Sequence, residues 1–304
     1  MGLRPASYSS ETASASTHTL DRLRRRLAQV TILSSLIAGT LYASYRLDRH
    51  VIRKTALDIV EQVTEPPTRV IALSHWVHAH LPTGRNQQYF LFRRLRATSV
   101  QVLERGGDCA DKSRLLAAML RELDIPATLA MCFHPQTGAP SHTVVEARIA
   151  PDSYMVVDPA FELWFPRPDG QGFYGLTDLR ANPNLLFKRL EHLRATLPWP
   201  ALAFFYPEHA AVYDRVATIN WEKNSATRLA RTIWSSWYGD EIIRLPRPLA
   251  AEEPKLFVIG GLTAMTVTIL LCTFLKESVR RKKRKTRAGG IDSRAFGLPE
   301  GAVR

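Results

Sequence analysis

The chain has 304 residues, enough for one or two domains with a sizeable core, and its 45% hydrophobic and 23% charged content excludes wholesale disorder. Three cysteines exclude a disulfide-rich scaffold and leave room for one reactive thiol. The net charge of +13 sits mainly at the ends, with +3 in residues 1–28 and +7 in residues 276–304, so the nearly neutral middle argues against nucleic acid as a partner.

Residues 1–27 form a basic segment whose first 19 residues, rich in Ser, Thr and Ala, are expected to be disordered. Ala28–Tyr45 follows, 18 residues without a charge, and near the other end Leu256–Leu275 is an uncharged run of 20. A helix rising ~1.5 Å per residue needs about 20 apolar residues to cross a bilayer. A buried core helix would need no block such as RRKKRK at its end, so both runs read as transmembrane helices, 28–45 and 256–275. A cleaved signal peptide is the other reading of the first run. Its basic cluster lies far from the N-terminus, and Ala43, preceded by Leu41 and Tyr42, is a poor cleavage site, so an uncleaved anchor is favoured.

The basic clusters flank the two runs on the tail sides, which places both termini in the cytoplasm and residues 46–255 outside it. Arg46, Arg49, Arg53 and Lys54 pull the other way, partly offset by Asp48, Asp58 and Glu61; the inverted topology would put the middle in the cytoplasm. The localisation expected is a two-span protein of a bacterial inner membrane, with a periplasmic central region and a cytoplasmic basic tail over 276–304.

Within that region the elements read as helices, then strands, then helices, an α+β order. Thr55–Val63 predicts a helix stopped by Pro66-Pro67, and Thr68–Leu81 an amphipathic helix with Val70, Leu73, Val77 and Leu81 on one face. Phe92–Glu104 is expected to be helical. Gly106-Gly107 then break the chain before the clearest helix, with Asp108 as N-cap, Asp111 in the first turn, and Leu115, Leu116, Met119, Leu120 and Leu123 as the apolar face. Ala127–Phe133, His142–Ile149 and Tyr154–Val157 predict strands, the last two joined as a hairpin through Ala150-Pro151-Asp152-Ser153. Residues 176–250 read as a mostly helical extension broken at Pro183, Pro198, Pro200 and Pro207.

Cys109 falls in the first turn of the clearest helix, where free backbone amides and the helix dipole favour a thiolate. His142 opens one hairpin strand and Asp158 closes the next. An odd-length turn centred on Pro151 sets residue 144 opposite 158 and puts His142 diagonal to Asp158 on one face; a two- or four-residue turn puts them on opposite faces. The chemistry needs one face, because the imidazole takes the thiol proton and the carboxylate fixes its tautomer.

The segments GGDCADKSRLLAAMLRELDIPATL, SHTVVEA and YMVVDPAF, over about residues 68–175, together resemble the transglutaminase-like superfamily of papain-type thiol enzymes, here with the anchoring pattern of a bacterial membrane-anchored member. Asp124 stands where that family often has Gly, a positive-φ position that Asp tolerates. The resemblance implies a papain-like fold between the two spans and acyl transfer or hydrolysis at peptide or amide bonds through a cysteine thioester. It makes Cys109 the nucleophile, His142 the general base and acid, and Asp158 the orienting group. The amide of Cys109 is a candidate half of the oxyanion hole, with Gln87 or Gln88 for the other half. Neither cofactor nor metal is expected, and the partner expected is a peptide or protein substrate, with cell-envelope components as candidates.

Other features read as structural. Cys132 lies in an apolar strand and belongs to the core, although a Cys109–Cys132 disulfide would block catalysis. His75, His78 and His80 suggest metal, but only the first two share a helical face and no cysteine or carboxylate set joins them. Trp164, Phe165, Phe173 and Tyr174 fit a core or a peptide cleft, and Trp199, Phe204, Phe205 and Tyr206 fit packing near a bilayer. A non-catalytic binding or assembly module of the cell envelope is the alternative function, and a membrane-tethered adaptor is what the inverted topology would imply.

Overall fold

A computed structural model describes residues 11–84, 89–93, 95–199, 202–208 and 211–289. The chain divides into two compact units, one of residues 1–42 with 258–304 and the other of residues 43–257.

The first unit contains most of two long helices, α1 (Glu11–Ile59) and α9 (Pro254–Gly289). Both contain stretches long and apolar enough to cross a membrane, Arg24–Ile59 and Pro254–Lys282. Within this unit Ser34 Oγ and Thr266 Oγ1 lie 2.8 Å apart and Arg24 pairs with Glu277 at 3.4 Å. Two expectations are corrected here. Residues 11–19 are helical rather than irregular, and Thr55–Val63 is no separate helix but continues α1 to Ile59, because neither Gly nor Pro interrupts the chain between Gly39 and Pro66. The expected irregularity of residues 1–10 and the end of the basic tail, 290–304, lie outside the described residues.

The second unit is a mixed helix-and-sheet domain. Before the sheet come α2 (Pro66–His80), α3 (Ser99–Arg105) and α4 (Cys109–Glu122). The helix expected over Phe92–Glu104 shrinks to α3. Thr98 takes an extended conformation and forms a reciprocal cap with Gln101, which starts the helix there. The C-terminal end of α4 is followed by Asp124 at φ 60°, the positive φ anticipated for that position.

The sheet has five antiparallel strands, β1 (Ala127–Phe133), β2 (Pro140–Ala150), β3 (Ser153–Asp158), β4 (Leu163–Trp164) and β5 (Val216–Ala217), in the order β4-β3-β2-β1-β5. Strands of two residues carry no period, so neither edge strand was legible in the sequence. Leu129, Val145, Ala147, Met155 and Val157 pack on one face with Leu73, Val77, Leu116 and Leu120, and with Ile52 and Ala56 from the end of α1. Ala130, Cys132, Val144 and Val156 pack on the other face with Phe165, Tyr213 and Val216, and with Leu176 and Leu179 of α5 (Leu176–Ala181) and Leu186 and Leu190 of α6 (Asn184–Thr196). The period-2 alternation thus feeds two cores, one on each side of the sheet. Beyond α6 the chain is less helical than expected: β5 precedes α7 (Ser225–Tyr238), and only a 3-10 turn and the single turn α8 (Leu249–Glu252) separate α7 from α9.

Candidate active site

The hairpin register decides whether the site can form. Val145 pairs with Val157, Glu146 with Val156 and Ala147 with Met155, so one step further Val144 stands opposite Asp158. That is the register an odd turn would give, yet the closing pair is Ala150 with Ser153, a two-residue turn. An irregularity between Arg148 and Ala150 reconciles them: Ile149 is the extra residue, and the bulge restores the face that a bare two-residue turn would have inverted.

His142 and Asp158 meet as a result. Nε2 of His142 lies 2.5 Å from Oδ2 of Asp158, and both side chains are sealed from solvent, at 4% and 0% exposure. The other carboxylate oxygen, Oδ1, accepts from the amides of Ala160 at 2.9 Å and Phe161 at 3.3 Å, so the Asp158-Pro159 turn fixes the carboxylate from its own backbone. The Cys109 side chain is the other group that acts on the ring, raising the His142 pKa alongside Asp158. With Nε2 taken by Asp158, Nδ1 is the nitrogen left for the sulfur. Burial opposes the imidazolium, but the Asp158 charge and hydrogen bond, together with Cys109, outweigh it and push the His142 pKa up to about 10. Phe161 and Tyr206 meet the imidazole edge-on at 5.5 and 6.1 Å, which confines the ring.

Cys109 is the first residue of α4 and is half-buried. Asp108 caps the helix by accepting from the Asp111 amide at 2.9 Å. Gly106 adopts φ 75°, and a β-carbon there would stand 2.2 Å from the Pro82 carbonyl oxygen; at Gly107 it would meet the Asp111 side chain at 2.5 Å. Both positions therefore need glycine for the chain to enter α4 at this angle.

Two groups escaped sequence reasoning. Ser113, one turn after Cys109 and fully buried, donates its hydroxyl to the Thr143 carbonyl at 2.8 Å, tying the Cys109 helix to the residue next to His142. The only sequence signal was a small polar residue at i+4 from the thiol. Lys112, also fully buried, donates Nζ to Thr83 Oγ1 at 2.9 Å; burial lowers its pKa while the Asp158 charge raises it. No local pattern announces a lysine with no exposed surface.

The remaining candidates separate. The three cysteines are free thiols, and Cys132 is fully buried in β1, where burial pushes its pKa well up. His75 Nδ1 lies 2.5 Å and His78 Nε2 3.9 Å from the Glu162 carboxylate. No cluster of three or more metal-ligating side chains occurs among the described residues. Phe165 is core, packed edge-on against Tyr213, whereas Trp164 and Trp199 line a cleft of about 620 Å³ with His78, Phe161, Glu162 and Arg189. Gln87 and Gln88 lie outside the described residues.

Residues 53–159, the stretch that contains Cys109, His142 and Asp158, match the transglutaminase-like superfamily. The matched stretch is about a third of the chain. Among solved structures, this chain is similar to a putative cysteine protease from Cytophaga hutchinsonii, with 20% identity over 37% of each chain and a TM-score of 0.31. It is also similar to a putative protease from Parabacteroides distasonis, with 15% identity over 42% of this chain and 30% of that one and a TM-score of 0.29. The chain thus spans about a third of the length of these structures. No curated protein matches it.

Proposed function

We propose that the chain is a membrane-anchored thiol enzyme that transfers or hydrolyses acyl groups at peptide or amide bonds. The observation that carries this reading is the solvent-sealed His142–Asp158 pair at 2.5 Å, with Cys109 at the start of α4 acting on the same imidazole. Cys109 Sγ attacks the substrate carbonyl carbon while its proton rests on His142 Nδ1. The developing oxyanion is met by the Cys109 amide at the start of α4. As the carbon–nitrogen bond breaks, His142 delivers the proton to the departing amine and leaves a thioester. A water or an amine then attacks the thioester carbon as His142 takes its proton, the carbon–sulfur bond breaks to release the acid or the new amide, and the proton returns from His142 to the sulfur. The Asp158 carboxylate, fixed by the Ala160 and Phe161 amides, holds the ring. The cleft beside Phe161, lined by Trp164, Trp199 and Arg189, has the size and apolar character to seat a peptide segment.

The apolar parts of α1 and α9 cross the membrane in this proposal, as spans 28–45 and 256–275. Residues 46–255 lie outside the cytoplasm, and segments 1–27 and 276–304 lie inside it. Two observations support this topology. Ile52 and Ala56 already serve the domain core, and Arg49, one of the contrary basic residues, pairs with Glu122 of α4.

An electrophilic thiol probe on the intact chain is the test. Labelling at Cys109 that is lost in Cys109→Ser and strongly slowed in His142→Ala supports the enzyme. Labelling indifferent to His142 favours a binding module. A reporter fused at residue 150 reads the topology, and a cytoplasmic signal there would support the adaptor instead.

A further inference from the structure

Helix α7 carries an apolar face whose flanks are open among the described residues. No residue of the helix is buried. At about 100° per residue, Leu229, Ile233, Trp234, Trp237 and Tyr238 fall on one half of the helix, and Arg228, Arg231, Thr232, Ser235 and Ser236 on the other. The five apolar residues are between 39% and 77% exposed, with Trp237 the most open. Only Ala230, between them, rests on the small cluster of Trp221, Ile242 and Ile243, which leaves both flanks of the face uncovered. The helix is nonetheless a built element: Asn224 accepts from the Thr227 amide at 2.9 Å, and Thr227 Oγ1 accepts in return from the Asn224 amide at 3.1 Å.

Three features point to the same cover. The exposed face holds two tryptophans and a tyrosine, the residues that gather where hydrocarbon meets headgroup, and Trp234 and Tyr238 are stacked at 5.8 Å. The polar half carries Arg228 and Arg231, the latter paired with Glu222 at 2.7 Å, and α7 itself contains no acidic residue, which leaves Arg228 suited to a lipid phosphate. The third feature is connectivity. Tyr238 ends α7 only 16 residues before Pro254 opens α9, and the first residues of α9 and the last third of α1 belong to the same compact unit as α7. We propose that α7 is an interfacial helix that lies in the headgroup layer of the bilayer and holds the thiol-enzyme domain against the membrane surface. The inference rests on the reading of α1 and α9 as spans.

The test uses the full chain carrying Cys109→Ser and Cys272→Ser, reconstituted in vesicles of phosphatidylcholine and phosphatidylglycerol. Single cysteines replace Ile233, Trp237, Ser235 or Val267 and carry a fluorophore read against a lipid-borne nitroxide and against aqueous iodide. The expected result is that labels at 233 and 237 lose most of their emission to the nitroxide and little to iodide, that the label at 235 does the reverse, and that the label at 267 in α9 is quenched by lipid. Labels at 233 and 237 quenched by iodide, with 267 still quenched by lipid, would overturn the proposal and leave the spans standing. Iodide quenching at 267 as well would overturn both. Protection of 237 from both quenchers, together with a dimer in cross-linking, would assign the face to a second copy of the chain and also refute the proposal.

Discussion

Replacing Asp158 by asparagine removes one charge from the centre of the site and almost no volume. Burial alone would hold the His142 imidazole neutral; the Asp158 charge and hydrogen bond reverse this and, with Cys109, carry its pKa to about 10. The gap from the ordinary value near 6.5, at 1.36 kcal/mol for each pH unit, corresponds to about 5 kcal/mol. Breaking buried ion pairs costs ~3–5 kcal/mol in practice, so a loss in that range is expected. A histidine whose folded pKa is raised contributes stability that is fully present below its unfolded pKa, near 6.5, and is lost as the pH rises through about 10. The difference between wild type and Asp158→Asn should therefore be largest near pH 6.5 and shrink towards pH 10. Urea unfolding of the detergent-solubilised chain, followed by tryptophan fluorescence at both pH values, measures it. A difference below ~1 kcal/mol near pH 6.5, or one of equal size at both pH values, would refute the assignment of the raised pKa to Asp158.

Further outcomes follow from the same geometry. Cys109 should alkylate faster than Cys132 near neutral pH, since Cys132 is fully buried and its thiol is pushed well above its usual range; mass-spectrometric labelling per cysteine reads both. Ser113→Ala removes the tie to the Thr143 carbonyl and should cost about 1–3 kcal/mol of stability in urea titration. The same variant should lower the Cys109 labelling rate, and addition of stabilising osmolyte should restore the fold without restoring that rate. Gly106→Ala forces a side chain into a positive-φ site against the Pro82 carbonyl and should cost at least about 1–3 kcal/mol, visible as a lowered Tm and slower labelling at Cys109.

Many local features were open to the sequence. Glycine and aspartate preferences announced the entry into α4, the 3.6-residue period announced its buried face, and a short apolar run and a turn composition announced β1 to β3, because each signal arises within a few residues of where it acts. The order Cys109, His142, Asp158 was legible as well, but their meeting was conditional on a turn the sequence left open. The Ile149 bulge resolves that condition, and a bulge depends on how two whole strands settle against two cores. The helix expected over Phe92–Glu104 failed because apolar periodicity upstream of Thr98 could not reveal that Thr98 and Gln101 would close a cap there. The two-residue strands β4 and β5, the Ser113–Thr143 tie, the buried Lys112 and the Tyr206 ring beside His142 all pair groups distant in the chain. Such contacts leave no periodic trace, so only the tertiary structure decides them, whereas caps, breaks and amphipathic faces are set by neighbours along the backbone.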